Sequence, residues 1–165
     1  MASELTHDRL CEVLDYNPET GVFRWLVTRP GTARAGSIAG SLNDNGYVSI
    51  SIDGQRYKAH RLCFLYMLGR WPDPEGDHRD LNRANNVWSN LREATSRQNA
   101  ANRGVRCDNM TGHKGVYRLP NGKFRLQIGY LGKLKHIGYY DTIELASWMY
   151  GVVAEALYGE FARLA

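Results

Sequence analysis

The chain has 165 residues, enough for one medium domain or two small ones, and a 43% hydrophobic content excludes wholesale disorder. The formal net charge of +4 is segregated: residues 1–101 hold 12 Lys/Arg against 12 Asp/Glu, whereas residues 102–165 hold 9 against 5. No apolar run is long enough to span a bilayer, and the N-terminus lacks a signal peptide's basic-then-apolar order. Cys11, Cys63 and Cys107 make neither a disulfide framework nor a paired zinc spacing, so a reduced, cytoplasmic setting is expected.

In chain order, residues 5–14 predict a short amphipathic helix with Thr6 as N-cap, Leu5 and Leu10 as a hydrophobic staple, and Leu10, Val13 and Leu14 on one face. Asn17 to Gly21 is turn chemistry, and residues 22–27 read as a strand. The Gly-, Ala- and Ser-rich piece 31–40 is a loop whose glycines do not fit a phosphate cradle. Residues 47–52 alternate, Asp53-Gly54 is a favoured two-residue turn, and residues 55–58 return as a hairpin. A helix over about 59–68 follows, ended by Gly69 and Pro72. His60 and Arg61 lie at its start. They suit a phosphate contact, and His60 equally suits packing or a loop carbonyl.

The stretch from Asp77 to Asn99 concentrates chemistry: an acid–imidazole pair, Asp77-His78, then a loop crowded with Asn82, Asn85 and Asn86, then Asn90-Leu91-Arg92 and a helix start at Thr95-Ser96 carrying Asn99. Carboxylate and amide oxygens with no thiol nearby favour a hard cation, Mg²⁺ or Mn²⁺, over zinc. A neutral imidazole beside them suits deprotonation of a water. Neighbours on a regular strand face opposite sides, so Asp77 and His78 share a site only where the strand ends or bends.

Asp77-His78, Asn90 twelve positions after the histidine and Asn99 nine further on resemble the ββα-metal finger of phage-type HNH homing endonucleases. The resemblance covers roughly residues 57–103. It implies His78 as general base, Asp77 and Asn99 as ligands to one Mg²⁺ or Mn²⁺ ion, and Asn90 as the residue that ties the loop together. It also implies cleavage of double-stranded DNA to 5′-phosphate and 3′-hydroxyl ends in a bacterial or phage-infected host. One such site cuts one strand, so a double-strand break needs two events or a homodimer.

Residues 103–112 read as a basic, polar linker. Beyond it, residues 116–119, 123–128 and 135–140 predict three strands, and Asp141 to Glu144 starts a helix whose Leu145, Met149, Val152, Val153 and Ala156 form the expected core stripe. Eight basic residues against one acid between Arg103 and Lys135 suggest a polyanion contact, although a solvated basic surface has the same charge. Residues 111–164, through Lys114-Gly-Val-Tyr117, Asn121-Gly-Lys-Phe124, His136-Ile-Gly-Tyr-Tyr-Asp-Thr142 and Tyr158-Gly-Glu-Phe-Ala162, resemble the DNA-binding domain of plant ethylene-response factors. That resemblance implies DNA contacts from Tyr117, Lys123, Arg125, Gln127, Lys133 and His136, to which His60 and Arg61 of the first module are added.

The resulting expectation is an α+β protein. Residues 1–102 form an HNH nuclease domain with its ββα-metal motif at about 75–103, and residues 113–165 form a three-stranded antiparallel sheet packed on one helix. The rival reading is a non-catalytic, sequence-specific DNA-binding regulator whose finger is only a scaffold.

Overall fold

A computed structural model of the chain describes residues 5–163 except 30 and 32. It is a mixed α and β protein in two compact units, residues 1–94 and 95–165.

The first unit opens with α1, His7–Val13, whose N-cap Thr6 accepts the Arg9 amide through its side chain. Leu5 and Leu10, the expected staple pair, are both buried in one core. The chain then passes directly into β1, Leu14–Asn17, a strand missed by the helical periodicity, which pairs antiparallel with β2, Val22–Trp25. The Asn17 side chain shapes their turn by accepting the Glu19 and Thr20 amides. Strand β2 is two residues shorter than predicted.

A two-residue strand, β3 (Ser41–Leu42), β4 (Val48–Ile52) and β5 (Gln55–Lys58) make an antiparallel sheet in that order. Asp53 and Gly54 join β4 to β5 with positive φ at both positions, 49° and 81°, the twist a two-residue hairpin requires. Helix α2, Ala59–Leu68, starts at once and ends on Gly69, whose φ of 69° closes a left-handed C-cap. Its Leu62, Cys63, Phe64 and Leu65 are buried in the same core as Leu10, Phe23 and Ile50.

Strand β6, Glu75–His78, lies against α2, and Gly76 permits the approach. A Cβ there would stand 2.9 Å from Phe64 Cε2 and 3.1 Å from His60 Cδ2. β6 pairs antiparallel with β7, Leu91–Ala94, with Asp77 opposite Arg92 and His78 opposite Leu91. A single 3-10 turn, Trp88–Asn90, leads into β7.

The second unit begins with α3, Ser96–Asn102. Its N-cap Thr95 and Gln98 exchange both bonds of a capping box. The 103–112 stretch, expected as a linker, is partly organised into turns. Asn109 Oδ1 accepts from the Thr111 and Gly112 amides, and Thr111 Oγ1 donates to Val116 O. Strands β8 (Val116–Arg118), β9 (Phe124–Tyr130) and β10 (Lys133–Tyr140) form the three-stranded antiparallel sheet with β9 central. Helix α4, Ile143–Tyr158, packs on it from N-cap Thr142.

The face of α4 keeps Met149 and Val153 of the expected stripe against the core, but not Leu145, Val152 and Ala156. Ala146, Tyr150 and Ala154 are buried with Val116, Leu126 and Ile128, whereas Leu145 and Val152 are 47% and 45% exposed and Trp148 64%. Small side chains at 146 and 154 let the helix lie close to the sheet.

Candidate active site

His78 ends β6 and is buried at 4% exposure. Its Nε2 lies 3.3 Å from Asn86 Oδ1, while Asn86 Nδ2 donates to Ala84 O, so the amide oxygen faces the ring and Nε2 carries the proton. Asn86 is itself held at its carbonyl. The Tyr16 hydroxyl donates to Asn86 O at 2.6 Å, and Gly21 presses so near the 86–87 peptide that an added Cβ would sit 2.5 Å from its carbon and nitrogen. The β1–β2 hairpin therefore sets the loop that orients the imidazole.

His60, in the first turn of α2, packs its ring edge-to-face on His78 at 4.9 Å between centroids. Its Nδ1 has no hydrogen-bond partner, and burial, with the positive charges of His78, Lys58 and Arg61, pushes it down to about 3. Burial also lowers His78 below the ordinary imidazole range, against the Asn86 hydrogen bond and the Asp80 and Asp77 charges, which pull the other way. His78 is thus neutral near pH 7, as a proton acceptor must be. The Tyr47 ring covers both imidazoles, 5.2 Å from His60 and 6.0 Å from His78.

Asn90 braces the loop between β6 and β7. It accepts the Asp80 amide at Oδ1, donates from Nδ2 to Asp80 Oδ1 and Asn85 O, and accepts the Arg79 amide at its own carbonyl. Burial of Asp80 would raise its pKa, but hydrogen bonds from Asn85, Asn90 and the Asn82 amide hold it below the usual carboxylate value.

Asp77 is 4% exposed, and Arg92 Nε donates to its Oδ2 at 3.0 Å. The register makes this pair, since residues opposite one another on β6 and β7 share a face, and His78 stands at the very end of β6, across from Leu91. Asp77 offers the hard oxygen a divalent ion prefers, in company with a buried cation. Among the described residues no group of three or more His, Cys, Asp and Glu side chains could hold a metal, so an ion here depends on amide, water and phosphate oxygens. Asn99 lies on α3 in the second unit, where its amide closes the first turn onto Thr95 O.

The sheet of the second unit presents one face away from α4. Strand pairing puts Tyr117, Arg125 and Tyr139 in one row and Gln127 with His136 in the next, and alternation adds Lys123. The Arg125 guanidinium lies 5.5 Å over the Tyr117 ring, its Nε has no partner, and Lys123 pairs with Asp141 at 3.0 Å. Lys133 does not belong to this group, because it pairs with Tyr130 and so alternates onto the α4 side.

Residues 57–101, from β5 through α3, match the family described as HNH endonuclease. The chain is similar to the uncharacterized HNH endonuclease L560 of Acanthamoeba polyphaga mimivirus, 33% identical over 123 residues. That alignment covers 73% of this chain and 63% of the relative, so the chain spans less than two thirds of the relative's length. No solved structure matches the chain. No helix among the described residues is long and apolar enough to cross a membrane.

Sequence reasoning missed Arg92, Asn86, Tyr16 and Tyr47. Asn86 was legible only as a turn residue. Arg92 had a signal: a charged residue between Leu91 and Ala94, in a strand too buried to leave it in water.

Proposed function

We propose that the chain is a metal-dependent endonuclease of the HNH homing type, hydrolysing phosphodiesters of double-stranded DNA. The observation that carries the reading is a buried, neutral His78, fixed by Asn86 at Nε2 and adjoining a buried Asp77, inside the span that matches the HNH family. With the proton on Nε2, the basic nitrogen is Nδ1. It takes a proton from a water aligned with the phosphorus. The water oxygen bonds to phosphorus, the bond to the 3′ oxygen breaks, and that oxygen takes a proton from solvent water, giving 5′-phosphate and 3′-hydroxyl ends.

One Mg²⁺ or Mn²⁺ ion held by Asp77 and, by its motif position, Asn99 would offset the charge that builds on the phosphate and the leaving oxygen. Asn90 keeps the loop in shape. The outward sheet face, with Tyr117, Lys123, Arg125, Gln127 and His136, retains DNA through phosphates and base edges, and tethering raises the effective substrate concentration at His78. Cutting both strands requires two events or two chains.

One observation favours the regulator reading: the Arg92 guanidinium already answers the Asp77 charge, so Asp77 does not need a metal ion to be buried. Incubation of the parent and His78→Ala with plasmid and varied genomic DNA in Mg²⁺ decides between them. Metal-dependent nicking by the parent, lost in the variant, is expected. DNA retention without nicking by either protein installs the regulator.

A further inference from the structure

Lys58 is the N-cap of α2 and makes no side-chain cap, and no acidic residue lies in the first turn. The helix therefore starts with free amides and no carboxylate to answer its positive end. Beside it opens a cleft of about 350 Å³ lined by Gln55, Arg56, Tyr57, Lys58, Arg61 and Trp71, all within the first unit.

The cations there are held differently from four others in that unit. Arg9, Arg29, Arg70 and Arg92 each pair with an Asp or Glu. Arg56, Lys58 and Arg61 have no such partner among the described residues. Two are positioned by aromatic faces instead. Arg61 lies 5.3 Å over Trp71, whose ring stacks on Tyr57 at 5.8 Å, and Lys58 Nζ lies 4.2 Å over Tyr47. An aromatic face orients a cation without neutralising it, so the three charges stay available to an anion.

Tyr47 links this cleft to the imidazoles. Its ring meets Lys58, Arg83 at 4.9 Å and His78 at 6.0 Å. Along one DNA strand phosphates recur every ~3.4 Å of helix axis. A strand with one phosphate at His78 thus brings its neighbours past Tyr47 toward Lys58 and Arg61, and the Arg fork suits phosphate oxygens.

We propose that the Arg56–Lys58–Arg61 cleft seats backbone phosphates of duplex DNA flanking the scissile one, one to each cation, so that the first unit grips its substrate independently of the sheet in the second. The inference rests on the nuclease reading above. It makes the nuclease half itself a DNA-binding element.

The test is fluorescence anisotropy of a labelled 30-base-pair duplex with the full chain in EDTA, over a series of salt concentrations. The proteins are the parent, Arg56→Gln, Lys58→Gln, Arg61→Gln, the triple variant, and Arg34→Gln as an exposed cation outside the cleft. Each cation that meets a phosphate contributes about 0.9 to the log–log salt slope. The triple variant is expected to lose about 2 to 3 of that slope, and Arg34→Gln none. Adding Arg125→Gln to the triple variant lowers the slope again, because the two surfaces act separately. Circular dichroism checks folding, and should the triple variant unfold, Arg56→Gln, an exposed strand residue, decides alone. Parent-like slope and affinity in the triple variant, with a parent that still nicks plasmid, overturn the cleft and leave the nuclease reading standing. A parent that neither binds nor nicks any DNA overturns both.

Discussion

Replacing Arg92 with leucine would take the guanidinium from a carboxylate buried inside the first unit. The Asp77 and Arg92 side chains are 5% and 6% exposed and meet at 3.0 Å, so water is not available to solvate Asp77 once the guanidinium is gone. Two unit charges ~4 Å apart interact by about 4 kcal/mol at an effective dielectric of ~20. Breaking a buried pair by removing one partner costs about 3–5 kcal/mol. Against a typical stability of about 5–15 kcal/mol, that is a large share. Urea unfolding in EDTA, followed by tryptophan emission, measures it, because Trp25, Trp71 and Trp88 of the four tryptophans are in the first unit. The double variant Asp77→Asn with Arg92→Leu buries no charge and is expected to be more stable than Arg92→Leu alone. Excess Mg²⁺ adds a second comparison. If Asp77 binds the ion, Mg²⁺ at about 100 times its Kd restores up to about 2.7 kcal/mol to Arg92→Leu and nothing to the Asp77→Asn proteins. A loss below about 1 kcal/mol for Arg92→Leu in EDTA refutes the reasoning, since no uncompensated charge would then be buried.

Asn86→Ala removes the acceptor that fixes the His78 tautomer, and plasmid nicking at saturating DNA is expected to slow at least about tenfold, or about 1.4 kcal/mol, within the usual cost of an unsatisfied buried donor; an unchanged rate would show that Asn86 does not orient the base. Gly21→Ala forces a Cβ into the 86–87 backbone at a φ of 71°, so a stability loss above about 1–3 kcal/mol, the usual overpacking range, is expected in thermal melts. A melt matching the parent's would mean the hairpin is not pressed on the loop. His60 binds a proton near 6.5 when unfolded but only near 3 when folded, so the unfolded chain holds more protons between those values. The first unit should therefore lose stability as pH falls from about 6.5 toward 3, and His60→Phe should flatten that dependence. Identical pH profiles for parent and variant would contradict a buried neutral imidazole.

Much of this protein was legible from local chemistry. The Asp53-Gly54 hairpin, the Thr6 cap, the Thr95 helix start, the Gly69 terminus and the three-strand-plus-helix order of the second unit follow from turn residues, caps and alternation that act over a few positions. The His78 spacing to Asn90 likewise marked the loop that Asn90 braces. Strand β1 was not legible, because Leu14 and Tyr16 continue an apolar pattern that a helix and a strand share over so few residues.

The sequence by itself determined the elements, the residue types of the candidate site and the segregation of charge. Only the tertiary structure decided which partners those residues take. Antiparallel register put Arg92 across from Asp77, fifteen positions away in sequence. The approach of Gly21 and Tyr16 to Asn86 set the imidazole's hydrogen bond from a hairpin some seventy positions earlier. Packing on the sheet chose Ala146, Tyr150 and Ala154 as the buried row of α4, where the apolar pattern had also offered Leu145 and Val152. Periodicity says that a face is apolar, whereas steric fit between elements distant in sequence says which face is covered and which charge goes into the interior.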